Sequence, residues 1–150
     1  MGFELGTDGP GAIVVGVDGS PTSLRAASYA AGLARRQHTR LIVVYARTIP
    51  STLLTIADHS GMSTASVLET QDELERQLRN ELEKQSELWG LDAELIVRQG
   101  EPFAVLSEVA KERRADAVIV GSSASMGHRI AGSLAVKLVR IGRWPVTVVP

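Results

Sequence analysis

Five short apolar runs alternate along the chain with longer segments of mixed polarity. Residues 12–17, 41–46 and 117–121 are rich in β-branched residues and contain no charged side chain. A strand without alternating polar and apolar positions is typically buried on both faces, as in a parallel sheet covered by helices. These three runs therefore predict buried strands of a parallel sheet.

Two further strands are predicted at residues 91–97 and 146–149. The first of them mixes polar with apolar positions, which favours a place at the edge of the sheet. Four segments with helical character separate the strands, at residues 21–37, 64–89, 102–114 and 132–142. Ser20 and Pro21 are the residue types that cap and begin a helix, so the first helix is expected to start there.

The long segment 64–89 has the pattern of a helix with one buried side. Leucines recur every four residues along it, at Leu74, Leu78 and Leu82. Its charged residues are spaced as ion pairs on an exposed face, Asp72 with Arg76 and Glu75 with Arg79. The preceding segment 47–62 has no clear period and is interpreted as a lid or a partly ordered crossover.

Strict alternation of strands and helices predicts the fold class. Because β-α-β crossovers are right-handed, we expect a three-layer, doubly wound, five-stranded parallel sheet with strand order 3-2-1-4-5 and helices on both faces. Ligands of such sheets bind beyond the carboxyl ends of the strands, where the strand order reverses. Asp18 follows the first strand and Gly121 ends the fourth, so the two should face each other across one crevice.

The segment between the fourth strand and the last helix is rich in glycine and serine. It runs from Gly121 to Ser133, and the order strand, small polar loop, helix suits an anion bound by backbone N–H groups at a helix N-terminus. The same composition is also common in ordinary polar turns. On the loop alone, a phosphate cradle and a simple turn both remain open.

Composition limits the functions that need to be considered. The chain has 150 residues, a formal net charge of -1 and no cysteine. Its length suits one domain, assigned to residues 12–150 after a flexible tail at 1–11. Near-balanced charge gives no reason to expect a nucleic acid or an anionic membrane as partner. With no secretory signal and no apolar run of membrane length, we expect a cytoplasmic protein.

Four stretches of this chain resemble the universal stress protein family. They are residues 15–20, the spacing of Gly100, Pro102, Leu106 and Ala110, residues 116–122, and residues 132–133 followed by 144–149. The similarity covers about residues 12–150. It implies the α/β sheet described above, a homodimer and, in one branch of the family, ATP bound in the crevice between strands 1 and 4.

The resemblance also implies a set of binding residues. In members that bind ATP, an aspartate matching Asp18 contacts the adenine side, the backbone near Ala46 lies beside the base, and the loop after the fourth strand surrounds the phosphates. The residues expected to bind the nucleotide are Val17, Asp18, Ser20, Ala46, Gly121, Ser122, Gly127, Gly132, Ser133 and Leu134. Magnesium would accompany the phosphates as a counter-ion.

The phosphate loop departs from the family motif in two ways. Ala124 stands where the motif has its second glycine, and the segment is two residues shorter, as in the branch not thought to bind ATP. A residue other than glycine resists positive φ, and a shorter loop moves its N–H groups relative to a triphosphate. Gly127 could supply a substitute turn, and His128 and Arg129 could add positive charge.

The leading functional hypothesis is a dimeric stress-response module that binds ATP or another adenine nucleotide. No catalytic set or P-loop is evident, so at most slow ATP hydrolysis is expected. The main alternative is a structural or regulatory dimer with a degenerate phosphate loop. An adenylate-forming enzyme and a phosphorelay receiver fit the motifs less well. Dimerisation is expected through residues 146–149, whose apolar edge would otherwise face water, and a regulatory protein partner is unknown.

Overall fold

Strands and helices alternate throughout the part of the chain that the structure describes. The structure is a computed structural model, and it describes residues 11–47, 64–122 and 133–150. The elements are β1 (Ala12–Val17), α1 (Pro21–Gln37), β2 (Arg40–Arg47), α2 (Thr64–Trp89), β3 (Ala93–Gln99), α3 (Pro102–Glu112), β4 (Ala117–Gly121), α4 (Ser133–Ile141) and β5 (Val146–Val149). The predicted tail up to residue 10 and the predicted lid beyond Arg47 lie outside these ranges.

The five strands form one parallel sheet in the order β3-β2-β1-β4-β5. β1 lies at its centre, where Ile13 is paired with Leu41 of β2 on one side and with Ala117 of β4 on the other. The strand order reverses between β1 and β4. The predicted fold class is therefore confirmed, and the switch point lies where the sequence pattern placed it.

Alternate side chains of the buried strands enter two separate cores. Val14 and Val118 belong to the core under α3 and α4, whereas Val15 belongs to the core under α1 and α2. The α1 helix faces its core with Ala26 and Ala30, both fully buried. Small side chains on that face let α1 approach the sheet closely, so the carboxyl end of β1 and the start of α1 are held in fixed positions.

Two elements differ by two residues from their predicted bounds. β3 occupies Ala93–Gln99 instead of 91–97, because β2 continues to Arg47 and pairs with β3 as far as Gln99. The edge position of β3 is confirmed. The α3 helix ends at Glu112 instead of residue 114, because Arg114 adopts left-handed backbone with φ 53° and cannot continue the helix.

Caps define the ends of α1 as its sequence predicted. Ser20 Oγ accepts a hydrogen bond from Ser23 N at 3.2 Å, and Pro21 occupies the first helical position. At the other end His38 adopts left-handed backbone, and its N–H donates to carbonyls of the last turn. The start of α1 is thus anchored directly beside the end of β1.

Arg47, at the carboxyl end of β2, attaches α2 to the sheet. Its Nη1 lies 2.8 Å from Asp72 Oδ1 and 3.1 Å from Glu75 Oε2, and its Nε donates to Gln71 Oε1 at 3.2 Å. The predicted pair of Asp72 with Arg76 is not formed. Asp72 pairs with Arg47 of the sheet, which is less exposed than Arg76. Arg76 pairs with Glu73 instead.

None of the helices in the described part of the chain is both long enough and apolar enough to cross a membrane.

Candidate functional site

A cavity of about 610 Å³ lies at the carboxyl ends of β1, β2 and β4. Its volume falls in the range of about 300–1,000 Å³ that is usual for small-molecule sites. Eight of the ten sequence-predicted binding residues line it: Val17, Asp18, Ser20, Ala46, Gly121, Ser122, Ser133 and Leu134. The other two, Gly127 and Gly132, lie outside the described residues, as do Ala124, His128 and Arg129.

Asp18 and the start of α1 form one hydrogen-bonded turn at the wall of the cavity. Ser20 N donates to Asp18 Oδ1 at 2.9 Å, and Asp18 N donates to Ser23 Oγ at 3.2 Å. Ser23 Oγ in turn donates to the carbonyl of Ser20 at 3.0 Å. These bonds hold Asp18 in a defined orientation at the cavity wall.

The Asp18 carboxylate is ionised at neutral pH. Burial is the largest single influence and raises its pKa, but hydrogen bonds from Ser20 and Ser23 together outweigh burial. The pKa of Asp18 therefore lies below its ordinary value. A carboxylate in this state accepts hydrogen bonds from amino or hydroxyl groups and repels a phosphate, so the anionic part of a ligand has to lie away from it.

Three helices begin at the cavity, and they differ in how their first N–H groups are used. The start of α1 is capped by Ser20. The start of α3 is capped by Glu101, whose carboxylate accepts hydrogen bonds from Phe103 N at 3.2 Å and Ala104 N at 3.0 Å. Among the residues that the structure describes, no side chain caps the start of α4. Helix N-termini attract anions, so the start of α4, where Ser133 lines the cavity, is the candidate anion-binding end.

Apolar side chains form the wall between Asp18 and α4. Val44 and Ala46 of β2, Leu106 of α3 and Val120 of β4 line this part of the cavity. Leu106 lies against the backbone of Gly16, where an added Cβ would stand 3.3 Å from Leu106 Cδ2. The absence of a side chain at Gly16 therefore lets Leu106 pack closely on β1, and the apolar surface of this wall suits the face of a planar ring.

Several lining residues were missed at the sequence level. Thr22 and Ser23 at the start of α1, and Pro102 and Leu106 of α3, also line the cavity. The sequence carried a signal for them, because α1 and α3 follow strands whose carboxyl ends meet at one edge of the sheet. The spacing of Pro102 and Leu106 is part of the resemblance to the family, but the sequence did not assign either residue to the binding site.

The predicted magnesium ion has no ready-made site in the described residues. No group of three histidine, aspartate or glutamate side chains there is placed to hold a metal ion. Asp18 is the one carboxylate among the described lining residues. A metal ion would therefore be expected to enter together with phosphate groups.

A second cavity, of about 420 Å³, lies between α1 and α2 and has a different character. It is lined mainly by apolar side chains, including Leu78 and Leu82, and the guanidinium of Arg35 stacks over Trp89 at 4.6 Å. The described residues place no helix N-terminus in its lining. It therefore lacks the combination of anion-binding backbone and carboxylate that marks the cavity at β1 and β4.

Comparison with known proteins shows which proteins this chain is similar to. The model of the universal stress protein family matches residues 11–150 of the chain. The universal stress protein MJ0531 of Methanocaldococcus jannaschii is 24% identical over 139 residues, which cover 91% of this chain and 80% of that protein.

Solved structures share the fold over nearly the whole chain. The universal stress protein UspA from Lactobacillus plantarum aligns with a TM-score of 0.74 at 19% identity, covering 96% of this chain and 100% of that one. A universal stress protein in complex with cAMP aligns at 0.67 with 26% identity, covering 93% and 97%. The Archaeoglobus fulgidus protein in complex with dAMP aligns at 0.63 with 22% identity, also covering 93% and 97%.

Proposed function

The chain belongs to the universal stress protein family, and on that premise we propose that it is a regulatory module that binds an adenine nucleotide between β1 and β4. The observation that carries the proposal is the shared cavity. Residues predicted from three distant parts of the sequence line it together, among them Asp18, Ala46 and Ser133. Adenine nucleotides occupy the related proteins crystallised with cAMP and dAMP.

The chemistry of the cavity wall assigns an orientation to the ligand. Asp18 accepts hydrogen bonds from the amino or hydroxyl groups of the nucleoside. The base packs on the apolar wall near Ala46 and Leu106, and the phosphate lies at the start of α4 beside Ser122 and Ser133. This arrangement keeps the phosphate away from the Asp18 carboxylate and next to backbone donors. ATP is the expected ligand, with magnesium bound to its phosphates.

The function is binding rather than catalysis. Among the described lining residues, Asp18 is the one ionisable side chain, and its lowered pKa makes it a weak general base at neutral pH. A nucleotide held there would change the stability and surface of the domain rather than undergo rapid reaction. We expect at most slow ATP hydrolysis.

A ligand series tests the proposal directly. Thermal unfolding and calorimetric titration are measured with adenosine, AMP, cAMP, ADP, ATP and GTP, with and without magnesium. A ligand at a hundred times its Kd stabilises the folded state by about 2.7 kcal/mol. We expect adenine nucleotides to stabilise and GTP to act more weakly.

Matched cavity-filling variants identify the site that is used. Ala46→Phe places a ring in the cavity at β1 and β4, whereas Ala31→Phe places one in the cavity between α1 and α2. We expect Ala46→Phe to abolish nucleotide stabilisation and Ala31→Phe to retain it. Wild-type protein that gains no stability at millimolar adenine nucleotide, and releases none on denaturation, would instead support the structural dimer with a degenerate phosphate loop.

Assembly into a homodimer through β5 is the second part of the proposal. β5 is an edge strand whose residues are all partly exposed. Val118 N–H donates a hydrogen bond to the carbonyl of Pro145 at 2.9 Å, and Ser122 N–H donates one to the carbonyl of Val149 at 2.8 Å. Because backbone groups of a parallel strand point alternately to its two sides, those of Val146 and Val148 point away from the sheet and could pair with a second copy.

A further inference from the structure

Lys137 stands at the rim of the candidate nucleotide cavity. It lies four residues after Ser133 in α4, so both side chains share one face of the helix, and Ser133 lines the cavity. Long side chains on a helix point back toward its N-terminus. The Lys137 side chain is therefore expected to point toward the start of α4.

Its present contacts place the ammonium group beside the start of α3. Lys137 Nζ lies 3.8 Å from Glu101 Oε1 and 5.9 Å from the centre of the Phe103 ring. Glu101 immediately precedes Pro102, which lines the cavity. Both side chains of the ion pair are more than half exposed, so the pair is weak and can separate at low cost.

Among the residues that the structure describes, the cavity lining contains no positive charge, and Lys137 lies close enough to supply one. Among the described lining residues the one charged side chain is Asp18, which is negative. A nucleotide with several phosphates would bring further negative charge to the start of α4. A helix N-terminus carries only about half a unit of positive charge, and Lys137, four residues after Ser133 in the same helix, carries a full charge.

We propose that Lys137 binds the outer phosphates of the nucleotide and makes the site prefer nucleoside triphosphates to monophosphates, with Glu101 holding it when no phosphate is present. This inference rests on the proposed function and assigns a specificity-determining residue to the same site. Glu101 acts as an internal competitor, because its carboxylate and a phosphate attract the same ammonium group. With a nucleoside monophosphate, whose one phosphate lies at the helix start, Lys137 would stay paired with Glu101. The longer phosphate chain of a triphosphate would reach Lys137.

Calorimetric titration of ATP, AMP and adenosine tests the role of Lys137. The variant Lys137→Gln removes the charge, and Lys111→Gln removes one from the last turn of α3, remote from the cavity lining. We expect Lys137→Gln to weaken ATP binding about 5–10-fold, as for loss of one solvent-exposed charge contact, and to leave adenosine within twofold. Lys111→Gln should match the wild type, and Lys137→Arg should retain most of the ATP affinity.

A double-mutant cycle tests the competition by Glu101. Glu101→Gln keeps an acceptor for the α3 cap but removes the negative charge. We expect it to tighten ATP binding by about 2–5-fold in the wild-type background and to have no effect when Lys137 is glutamine. If Glu101→Gln instead raises ATP affinity equally in both backgrounds, the gain comes from the change in net charge. That result would overturn the proposal that Glu101 competes for Lys137.

The two levels of the proposal fail in different ways. Wild-type protein that binds none of the three compounds overturns the proposed function. Two results would overturn only the assignment of Lys137. One is that the wild type and Lys137→Gln bind ATP with equal affinity, and the other is that the variant loses affinity for ATP and adenosine equally.

Discussion

Gly121 lies directly against the backbone of Thr22. A Cβ added to Gly121 would stand 2.5 Å from the backbone carbonyl carbon of Thr22, and Thr22 Oγ1 donates a hydrogen bond to the carbonyl of Ser122 at 2.6 Å. The end of β4 and the start of α1 are therefore in close contact at the edge of the candidate site. The glycine is required by this packing between two elements, independently of any approach to a ligand.

Substitution of Gly121 by alanine should destabilise the protein. The added methyl group meets backbone atoms, which cannot rotate away, so we expect a loss of about 1–3 kcal/mol in the free energy of unfolding. Gly32→Ala is the matched control, because a Cβ there meets only the flexible end of the Arg36 side chain in α1. Alanine is favoured over glycine in a helix, so Gly32→Ala should be neutral or stabilising by up to about 1 kcal/mol. Urea denaturation distinguishes the two, and equal stabilities would contradict the packing argument.

Asp18 should make stability depend on pH. Its pKa in the folded protein lies below the ordinary value, because hydrogen bonds from Ser20 and Ser23 outweigh burial. A lowered carboxyl pKa contributes stability that is present above the unfolded-state pKa, about 3.9, and is lost as the pH falls through the folded-state value. The stability advantage of the wild type over Asp18→Asn should therefore shrink as the pH falls from 7 toward 3. Denaturation curves at several pH values measure it, and an advantage that grows on acidification would refute the assignment.

Arg47 should contribute more to stability than an exposed arginine. Its side chain is only 16% exposed and contacts Asp72, Glu75 and Gln71. We expect Arg47→Ala to cost about 1–3 kcal/mol, as for loss of partly buried hydrogen bonds to charged groups. Arg76→Ala removes an exposed arginine paired with Glu73 on the same helix and should change stability by less than about 1 kcal/mol. If the two variants unfold at the same urea concentration, Arg47 does not anchor α2.

A proline in β5 should separate a dimer into monomers. Val148 N–H points away from β4, so Val148→Pro removes an outward donor and leaves the bonds to β4 in place. Val148→Ala loses the same packing of the valine side chain but keeps the donor. We expect the alanine variant to remain dimeric and the proline variant to be monomeric by analytical ultracentrifugation. Wild-type protein that sediments as a monomer would exclude β5 pairing.

Local sequence patterns determined most of the elements. β-branched runs without charge predicted β1, β2 and β4, because such segments are stable only when both faces are covered. Ser20 and Pro21 predicted the start of α1 since they satisfy the requirements of a helix N-terminus locally. Alternation and the handedness of crossovers predicted a doubly wound parallel sheet, and the expected strand order is confirmed.

Long-range contacts decided what the sequence pattern left open. Asp72 had a suitable partner four residues away in Arg76, yet it pairs with Arg47, which folding brings to it from β2. The choice depends on distances and burial that arise only when α2 packs on the sheet.

The sequence by itself predicted that the ends of β1 and β4 meet at one edge, because the carboxyl ends of all strands in a parallel sheet lie at the same edge. The tertiary structure decided what that edge contains. It places eight predicted residues around one cavity. It also packs Gly121 against the backbone of α1 and brings Lys137 beside Glu101 near that cavity. Local propensity acts over a few residues, whereas the shape and charge of a cavity come from side chains that are far apart in the chain and adjacent only after folding.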